Sequence, residues 1–282
     1  MNSRVLTALI ALPILIASVI LPIFFPQSVW IFVAVAGFAI SAGIYEFFLM
    51  TKKMQLKADA SVAYLGACAF FIAFCFDAPK TAPDLLLITL ALFLIVLLST
   101  QTFRFQKDFS KLLAGMSLTL LGVLYVAFLG GYLVSLRVGF TETLVPNLST
   151  KLLGYFFLVI MGSDVGAYYA GKTFGKHKLV PKVSPNKTWE GFFGGIALSL
   201  TFATLSTFLF FPELPYKISL PLAFVMSIVG VFGDLAESAI KRSTGTKDAA
   251  NILPGHGGLL NRLDSLLFNA PILYYVARFY FG

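Results

Sequence analysis

Nine runs of predominantly apolar residues divide this chain, and they constrain its fold more than any other feature. Most approach the length of about 20 residues that an α-helix needs to cross the hydrocarbon core of a bilayer. The runs cover residues 5–25, 28–49, 61–76, 84–100, 112–136, 151–170, 191–211, 218–239 and 259–281. A mean hydropathy of +0.88 and a charged fraction of 12% leave too few polar residues to cover a water-soluble core. The sequence therefore predicts an all-α, polytopic integral membrane protein with about nine transmembrane helices.

The distribution of lysine and arginine predicts how these helices are oriented. With nine spans, fifteen Lys and Arg residues fall on the side of the N-terminus and five on the other side. Because Lys and Arg are enriched in cytoplasmic loops, we expect the N-terminus and the two long polar loops, 171–190 and 240–258, in the cytoplasm. The net charge of +8 is explained by this bias and by a basic site for phosphorylated substrates, so no nucleic-acid partner is expected.

Intramembrane charges divide the chain into two regions. Residues 1–110 are predicted to form an N-terminal scaffold of about four helices, in which Glu46 is an exceptional polar residue. Residues 111–282 contain both polar loops, and charged residues inside a membrane are costly enough to suggest function, so we expect a catalytic region here. Its intramembrane charges are Asp164, Asp234, Glu237, Arg262 and Asp264.

Two polar stripes flank the loop 240–258. The first follows i, i+3, i+4, i+7 spacing on the eighth helix, and the second repeats i, i+3, i+4 at the start of the ninth. Their members are Asp234, Glu237, Ser238 and Lys241, followed by Asn261, Asp264 and Ser265. We expect the stripes to face each other across one cavity, where carboxylates beside a basic loop suit Mg²⁺ together with substrate phosphates. The competing interpretation is that these charges pair only to hold the helix bundle together.

Both polar loops carry residues suited to phosphate or nucleotide binding. His256-Gly257-Gly258 precedes the ninth helix, where glycine allows close backbone approach and the free N–H groups of a helix N-terminus favour phosphate. His256 itself could be a general base, a hydrogen-bond donor to phosphate or a structural histidine. In the other loop, residues 184–190 (SPNKTWE) combine hydroxyl groups, Lys187 and an aromatic ring, which suits contact with a nucleotide.

These motifs resemble those of the phosphatidate cytidylyltransferase (CDP-diacylglycerol synthase) family. The family signature runs Ser-x-apolar-Lys-Arg, four residues, Lys-Asp, then His-Gly-Gly, then Asp-Arg-x-Asp. The matching positions are Ser238, Lys241, Arg242, Lys247, Asp248, His256, Gly257, Gly258, Arg262 and Asp264. The blocks DVGAY from Asp164 and SPNKTWEG from Ser184 extend the resemblance over residues 162–265. One position departs, because Asn261 stands where the family has the first Asp of Asp-Arg-x-Asp.

The resemblance implies a membrane enzyme of phospholipid biosynthesis that converts CTP and phosphatidate to CDP-diacylglycerol and pyrophosphate. It implies catalytic roles for Asp234, Lys241, Arg242 and Asp264, and binding of Mg²⁺ by Asp234, Asn261 and Asp264, with a second cation left open. The residues expected to bind substrate are Asp164, Ser184, Lys187, Thr188, Ser238, Lys247, Asp248, His256, Gly257, Gly258 and Arg262. The family also implies a homodimer in the inner (plasma) membrane. Since the amide of Asn261 ligates without charge, metal affinity is expected to fall.

Such a reaction depends mainly on positioning and charge neutralisation, because the lipid phosphate that attacks the α-phosphorus of CTP is already an anion. Three alternatives remain open. The chain could act on another lipid, as a polyprenol kinase or a related lipid cytidylyltransferase does, or it could be a family member impaired by Asn261. A transporter would instead distribute its charges across the membrane depth, whereas these charges gather at the predicted cytoplasmic ends of the late helices.

Overall fold

The computed structural model describes residues 3–52, 58–104, 109–141, 143–245 and 258–282, and nine long helices occupy most of them. In chain order they are α1 (Ser3–Ile20), α2 (Val29–Lys52), α3 (Ala60–Cys75), α4 (Pro83–Arg104), α5 (Leu112–Val138), α6 (Leu148–Phe174), α7 (Trp189–Leu209), α8 (Tyr216–Ser243) and α9 (Leu260–Phe281). Short helical turns are found at Leu21–Ile23, Pro26–Ser28, Ala78–Thr81 and Phe109–Lys111. Each apolar run of the sequence coincides with one of the nine helices, so the predicted helical class is confirmed.

Within the described residues, six helices are long and apolar enough to cross a membrane, namely α2, α4, α5, α6, α7 and α8. Helix α3 has only 16 residues, and Leu9–Ile23, which includes most of α1, is likewise a shorter apolar segment among the described residues. Helix α9 carries charged residues near both of its ends. The six helices establish a multi-pass membrane protein, while membrane crossing by α1, α3 and α9 stays a prediction.

Aromatic side chains fill the interior between α2, α3 and α5. Phe47, Phe70 and Phe74 are fully buried there, and the rings of Phe70 and Phe74 both pack edge-on against Phe128. Large apolar side chains such as Phe208 also cover the outer surfaces of the helices. A surface of this kind is expected where the hydrocarbon core of a bilayer surrounds the helices, because hydrocarbon offers no hydrogen-bond partners to polar side chains.

Helices α6 and α7 approach each other closely through small residues. A Cβ atom on Gly166 would clash with the carbonyl oxygen of Gly194, and a Cβ atom on Gly194 would clash with Ala170. Glycine is therefore required at these two positions, as at other membrane-helix interfaces where small residues let backbones meet. The tight pairing fixes the C-terminal end of α6 close to the N-terminal end of α7, and the chain between these two ends forms a hairpin.

A two-stranded antiparallel hairpin connects α6 to α7. It consists of β1 (Lys178–Val180) and β2 (Ser184–Thr188), which pair with Lys178 opposite Thr188 and Val180 opposite Ser184. At its base, the backbone N–H of Trp189 donates to the carbonyl oxygen of His177 over 2.9 Å. The hairpin is a local exception to the all-helical architecture that the sequence predicts.

Both predicted polar loops are shorter than expected. Helix α6 continues to Phe174 and α8 continues to Ser243, so the loops predicted at 171–190 and 240–258 each lose their first four residues to a helix. The apolar run ends earlier than the helix because backbone hydrogen bonding continues into water once a helix has formed. Lys241 and Arg242 are thereby placed in the last turn of α8, where positive charge interacts favourably with the helix dipole.

Candidate active site

A polar cavity of about 410 Å³ lies between α6, the hairpin, α7, α8 and α9. Its volume falls within the range of about 300–1,000 Å³ that small-molecule sites occupy. The predicted site residues that line it are Asp164, Ser184, Lys187, Thr188, Asp234, Asn261, Arg262 and Asp264. The fold thus brings together, in one cavity, positions that lie up to 100 residues apart in the chain.

Three carboxylates from three helices line this cavity. They belong to Asp164 on α6, Asp234 on α8 and Asp264 on α9. Asp264 is only 6% exposed, and one of its oxygens accepts a hydrogen bond of 2.6 Å from the backbone N–H of Ser265. An oxygen of Asp234 accepts from the hydroxyl of Ser238 over 3.3 Å. Carboxylate oxygens that converge in a poorly solvated cavity favour the binding of cations between these groups.

The hairpin is held against α8 by two polar contacts. The Nζ atom of Lys187 lies 2.6 Å from Oδ2 of Asp234, and Nε of Arg242 donates to the carbonyl oxygen of Val183 over 3.3 Å. The hydroxyl of Thr188 accepts a hydrogen bond of 3.2 Å from the N–H of Gly191 and so caps the N-terminus of α7. Thr188 also lines the cavity and its O–H group can still donate, so its expected contact with substrate stays a prediction.

Lys241 joins the two polar stripes. Its Nζ atom lies 2.5 Å from an oxygen of Glu237 and donates to Oδ1 of Asn261 over 2.7 Å, which connects α8 to α9. The prediction that the stripes face each other is therefore confirmed. The first stripe is nevertheless divided, because Asp234 lines the cavity whereas Glu237 is fully buried beside Lys241. Residues i and i+3 of a helix differ by about 60° in direction, which is enough to separate the two carboxylates.

Several predicted site residues either do not line this cavity directly or lie outside the described chain. Ser238, Lys241, Arg242 and Gly258 are not among the described residues that line it. Lys247, Asp248, His256 and Gly257 lie outside the described residues, so their roles stay predictions. The part of the site that the fold does assemble therefore consists of the hairpin, the ends of α6 and α8, and the first turn of α9.

Glu46 on α2 is a residue of this region that the sequence did not assign to the site. Its side chain is fully buried, and its two oxygens accept hydrogen bonds of 2.7 Å from the backbone N–H groups of Leu259 and Leu260. These N–H groups stand at the beginning of α9, where no helical carbonyl can reach them. The predicted scaffold thus contributes a carboxylate that fixes the helix bearing Asn261, Arg262 and Asp264. The available signal was an isolated carboxylate in an apolar helix, but its partners lie 213 and 214 residues away.

The donor atoms of the cavity fit a cation that is shared with a phosphate. Among the described residues, no group of three or more His, Cys, Asp or Glu side chains could hold a metal ion by itself. Asp234 and Asp264 nevertheless line the same cavity, together with the amide of Asn261. Because Mg²⁺ commonly takes one or two carboxylates and completes its shell with water and substrate phosphates, this donor set suits it.

The fold and the cavity together define a helical, multi-pass membrane protein with a cavity that carboxylate and cationic side chains line. A model of the cytidylyltransferase family matches residues 2–280. The chain therefore belongs to the cytidylyltransferase family.

Named relatives agree with this membership. The chain is 40% identical over 190 residues to the phosphatidate cytidylyltransferase of Bacillus subtilis (strain 168), an alignment that covers 66% of each protein. It is 48% identical over 119 residues to the phosphatidate cytidylyltransferase of Staphylococcus haemolyticus (strain JCSC1435), which covers 42% of this chain and 46% of that protein. The chain thus spans less than two thirds of the length of the first relative and about half of the second.

Proposed function

We propose that this protein is a phosphatidate cytidylyltransferase, which transfers the cytidylyl group of CTP to phosphatidate and releases pyrophosphate. The observation that carries the proposal is the single cavity in which Lys187 and Arg262 stand among the carboxylates of Asp234 and Asp264. Cationic side chains bind phosphate oxygens, and paired carboxylates recruit a cation that neutralises the remaining phosphate charge. The membership of the family and the names of the two relatives support the same activity.

The side chains of the cavity suit the electrostatic requirements of this reaction. An oxygen of the lipid phosphate attacks the α-phosphorus of CTP, the bond to the oxygen that bridges to the β-phosphorus breaks, and pyrophosphate leaves with that electron pair. Lys187 and Arg262 hold phosphate groups in line, while Lys241 orients Asn261 through their 2.7 Å hydrogen bond. Bound Mg²⁺ at Asp234, Asn261 and Asp264 would supply charge neutralisation of the phosphates. The attacking oxygen is already anionic, so no side chain is required as a general base.

We also propose nine membrane spans with a cytoplasmic N-terminus, so that the cavity opens to cytoplasmic CTP and to lipid in the inner leaflet. The excess of Lys and Arg on one side of the membrane supports this orientation. The homodimer that the family resemblance implies stays a prediction.

Cysteine labelling tests the orientation in a variant that lacks Cys68 and Cys75. Lys182→Cys at the exposed turn of the hairpin is expected to react with a membrane-impermeant maleimide only from the cytoplasmic side. Leu144→Cys, in the exposed connection between α5 and α6, serves as the matched control and should react only from the opposite side. Labelling of both positions from one side would exclude the proposed topology.

A direct assay tests the activity and the effect of Asn261, the residue that differs from the family signature. Purified protein is incubated with labelled CTP, phosphatidate and Mg²⁺, and CDP-diacylglycerol is measured for the native chain and for Asn261→Asp. We expect product from both, and a rate about ten-fold higher for Asn261→Asp at limiting Mg²⁺, since a further carboxylate raises the charge of the cation site. The control is the same comparison at saturating Mg²⁺, where the two rates should converge.

The absence of product from both proteins would contradict the proposed activity. Product from Asn261→Asp alone would instead support a second candidate function, that of a catalytically impaired family member, which the neutral side chain of Asn261 motivates. Replacing phosphatidate by polyprenyl phosphate or other lipid phosphates in the same assay distinguishes a related enzyme that acts on another lipid.

A further inference from the structure

A second depression, which we call the apolar groove, meets the polar cavity at Arg262. It has a volume of about 350 Å³ and lies between α1, α2, α5, α6 and α9. Leu15, Phe32, Ala39, Leu133 and Leu263 are among the residues that line it, and Arg262 is the charged residue among its described lining. Arg262 also lines the polar cavity, so one residue borders both spaces.

We propose that the apolar groove holds a fatty acyl chain of the lipid substrate, while Arg262 binds the phosphate of the same molecule. This inference rests on the proposed cytidylyltransferase function and names the lipid-binding part of its site. A groove that is apolar along its length and cationic at one end is complementary to an anionic amphiphile. The continuity with the polar cavity favours the substrate over a structural lipid, since a phosphate at Arg262 borders the space that is assigned to CTP.

The length of the groove is consistent with this occupant. Its lining extends from Leu259 to Leu266 along α9 and from Phe32 to Ala39 along α2. Seven helical steps correspond to about 10 Å, which is a large part of the roughly 15 Å that one leaflet contributes to the hydrocarbon core. The part of an acyl chain nearest its headgroup would therefore lie against protein, and the remainder would extend into the bilayer.

Small side chains on α2 leave the space that forms the groove. Ala36 is buried and Ala39 is partly buried, and both line the groove, whereas Ala34 is exposed on the same helix and lies outside it. Replacing Ala39 by leucine adds three carbon atoms inside the groove. Replacing Ala34 by leucine adds the same atoms to the outer surface of α2, which provides a matched control.

Turnover with two lengths of substrate tests the proposal. We expect Ala39→Leu to raise the KM for long-chain phosphatidate by about ten-fold, the usual scale for displacing a few methylene groups from an apolar site. The KM for CTP and the rate with dihexanoyl phosphatidate should remain at the native values, which also shows that the variant folds. Ala34→Leu should match the native protein in every assay. Equal kinetics for the two variants, or an equal loss with short and long chains in Ala39→Leu, would overturn the assignment of the groove.

Photolabelling separates a failure of this inference from a failure of the proposed function. A phosphatidate with a diazirine on its acyl chain is expected to label peptides of α1, α2 or α9, and unlabelled phosphatidate should compete whereas phosphatidylcholine should not. Such labelling in a protein that forms no CDP-diacylglycerol would uphold the groove and refute the function. Labelling confined to other helices in an active protein would refute the groove and leave the function intact.

Discussion

Replacing Asp264 by asparagine is expected to lower the rate of CDP-diacylglycerol formation by about a thousand-fold, the upper part of the range for losing one preorganised electrostatic group. Asp264 is almost fully buried and lines the cavity in the first turns of α9. Asn261, on the same face of that helix, is already neutral, so the variant would leave α9 without a carboxylate beside the phosphates. The amide has the same shape and can still accept the hydrogen bond from Ser265, so the fold should be retained.

The rate is measured with labelled CTP and phosphatidate, and folding is followed by thermal unfolding in detergent. Asp84→Asn is the matched control, because Asp84 is an exposed carboxylate in the first turn of α4 and does not line the cavity. It removes the same charge and should leave the rate unchanged. An Asp264→Asn variant that keeps the native rate would show that Asp264 takes no part in catalysis.

Replacing Glu46 by alanine is expected to destabilise the protein by about 3 kcal/mol, because a buried donor that loses its partner costs about 1–3 kcal/mol and two donors are affected. The N–H groups of Leu259 and Leu260 would be left without an acceptor inside the membrane region. The beginning of α9 should then shift, which would also reduce the rate of CDP-diacylglycerol formation. Glu46→Gln retains one acceptor oxygen and should lie between the native protein and Glu46→Ala in both measurements.

Glu213→Ala is the control for this prediction, and both variants are compared by unfolding in detergent and by turnover. Glu213 pairs with Lys151 over 2.6 Å, but both side chains are partly exposed, at 31% and 21%. Exposed ion pairs contribute only about 0–1 kcal/mol, so this carboxylate should matter far less than Glu46. Equal stability of Glu46→Ala and Glu213→Ala would contradict the importance of the link between α2 and α9.

Two features of the site could not be read from the sequence because they depend on contacts over long distances. The polar stretch 171–190 contains a hairpin, whereas its composition indicated only a polar loop. The hairpin contacts α8 through Lys187, which pairs with Asp234, and through the carbonyl oxygen of Val183, which accepts from Arg242. The hydroxyl of Thr188 caps α7 while the residue also lines the cavity, a structural role that its motif did not indicate. A motif records which chemical groups are present, and the neighbours in the folded chain decide which contacts those groups make.

The sequence by itself determined the helices and eight of the residues that line the cavity. In a bilayer each helix satisfies its own backbone hydrogen bonds, so the length of an apolar run is enough to predict a helix. The 3.6-residue period then places Asn261, Asp264 and Ser265 on one face, and all three line the cavity.

Only the tertiary structure decided which helices meet and which faces they bring together. It attached Glu46 to the beginning of α9, divided Asp234 from Glu237, and placed Arg262 between the polar cavity and the apolar groove. Surfaces that face lipid and surfaces that face protein are equally apolar in a membrane, so hydropathy does not encode the rotation of a helix. Shape and a few buried polar contacts select that rotation, and both exist only in the folded chain.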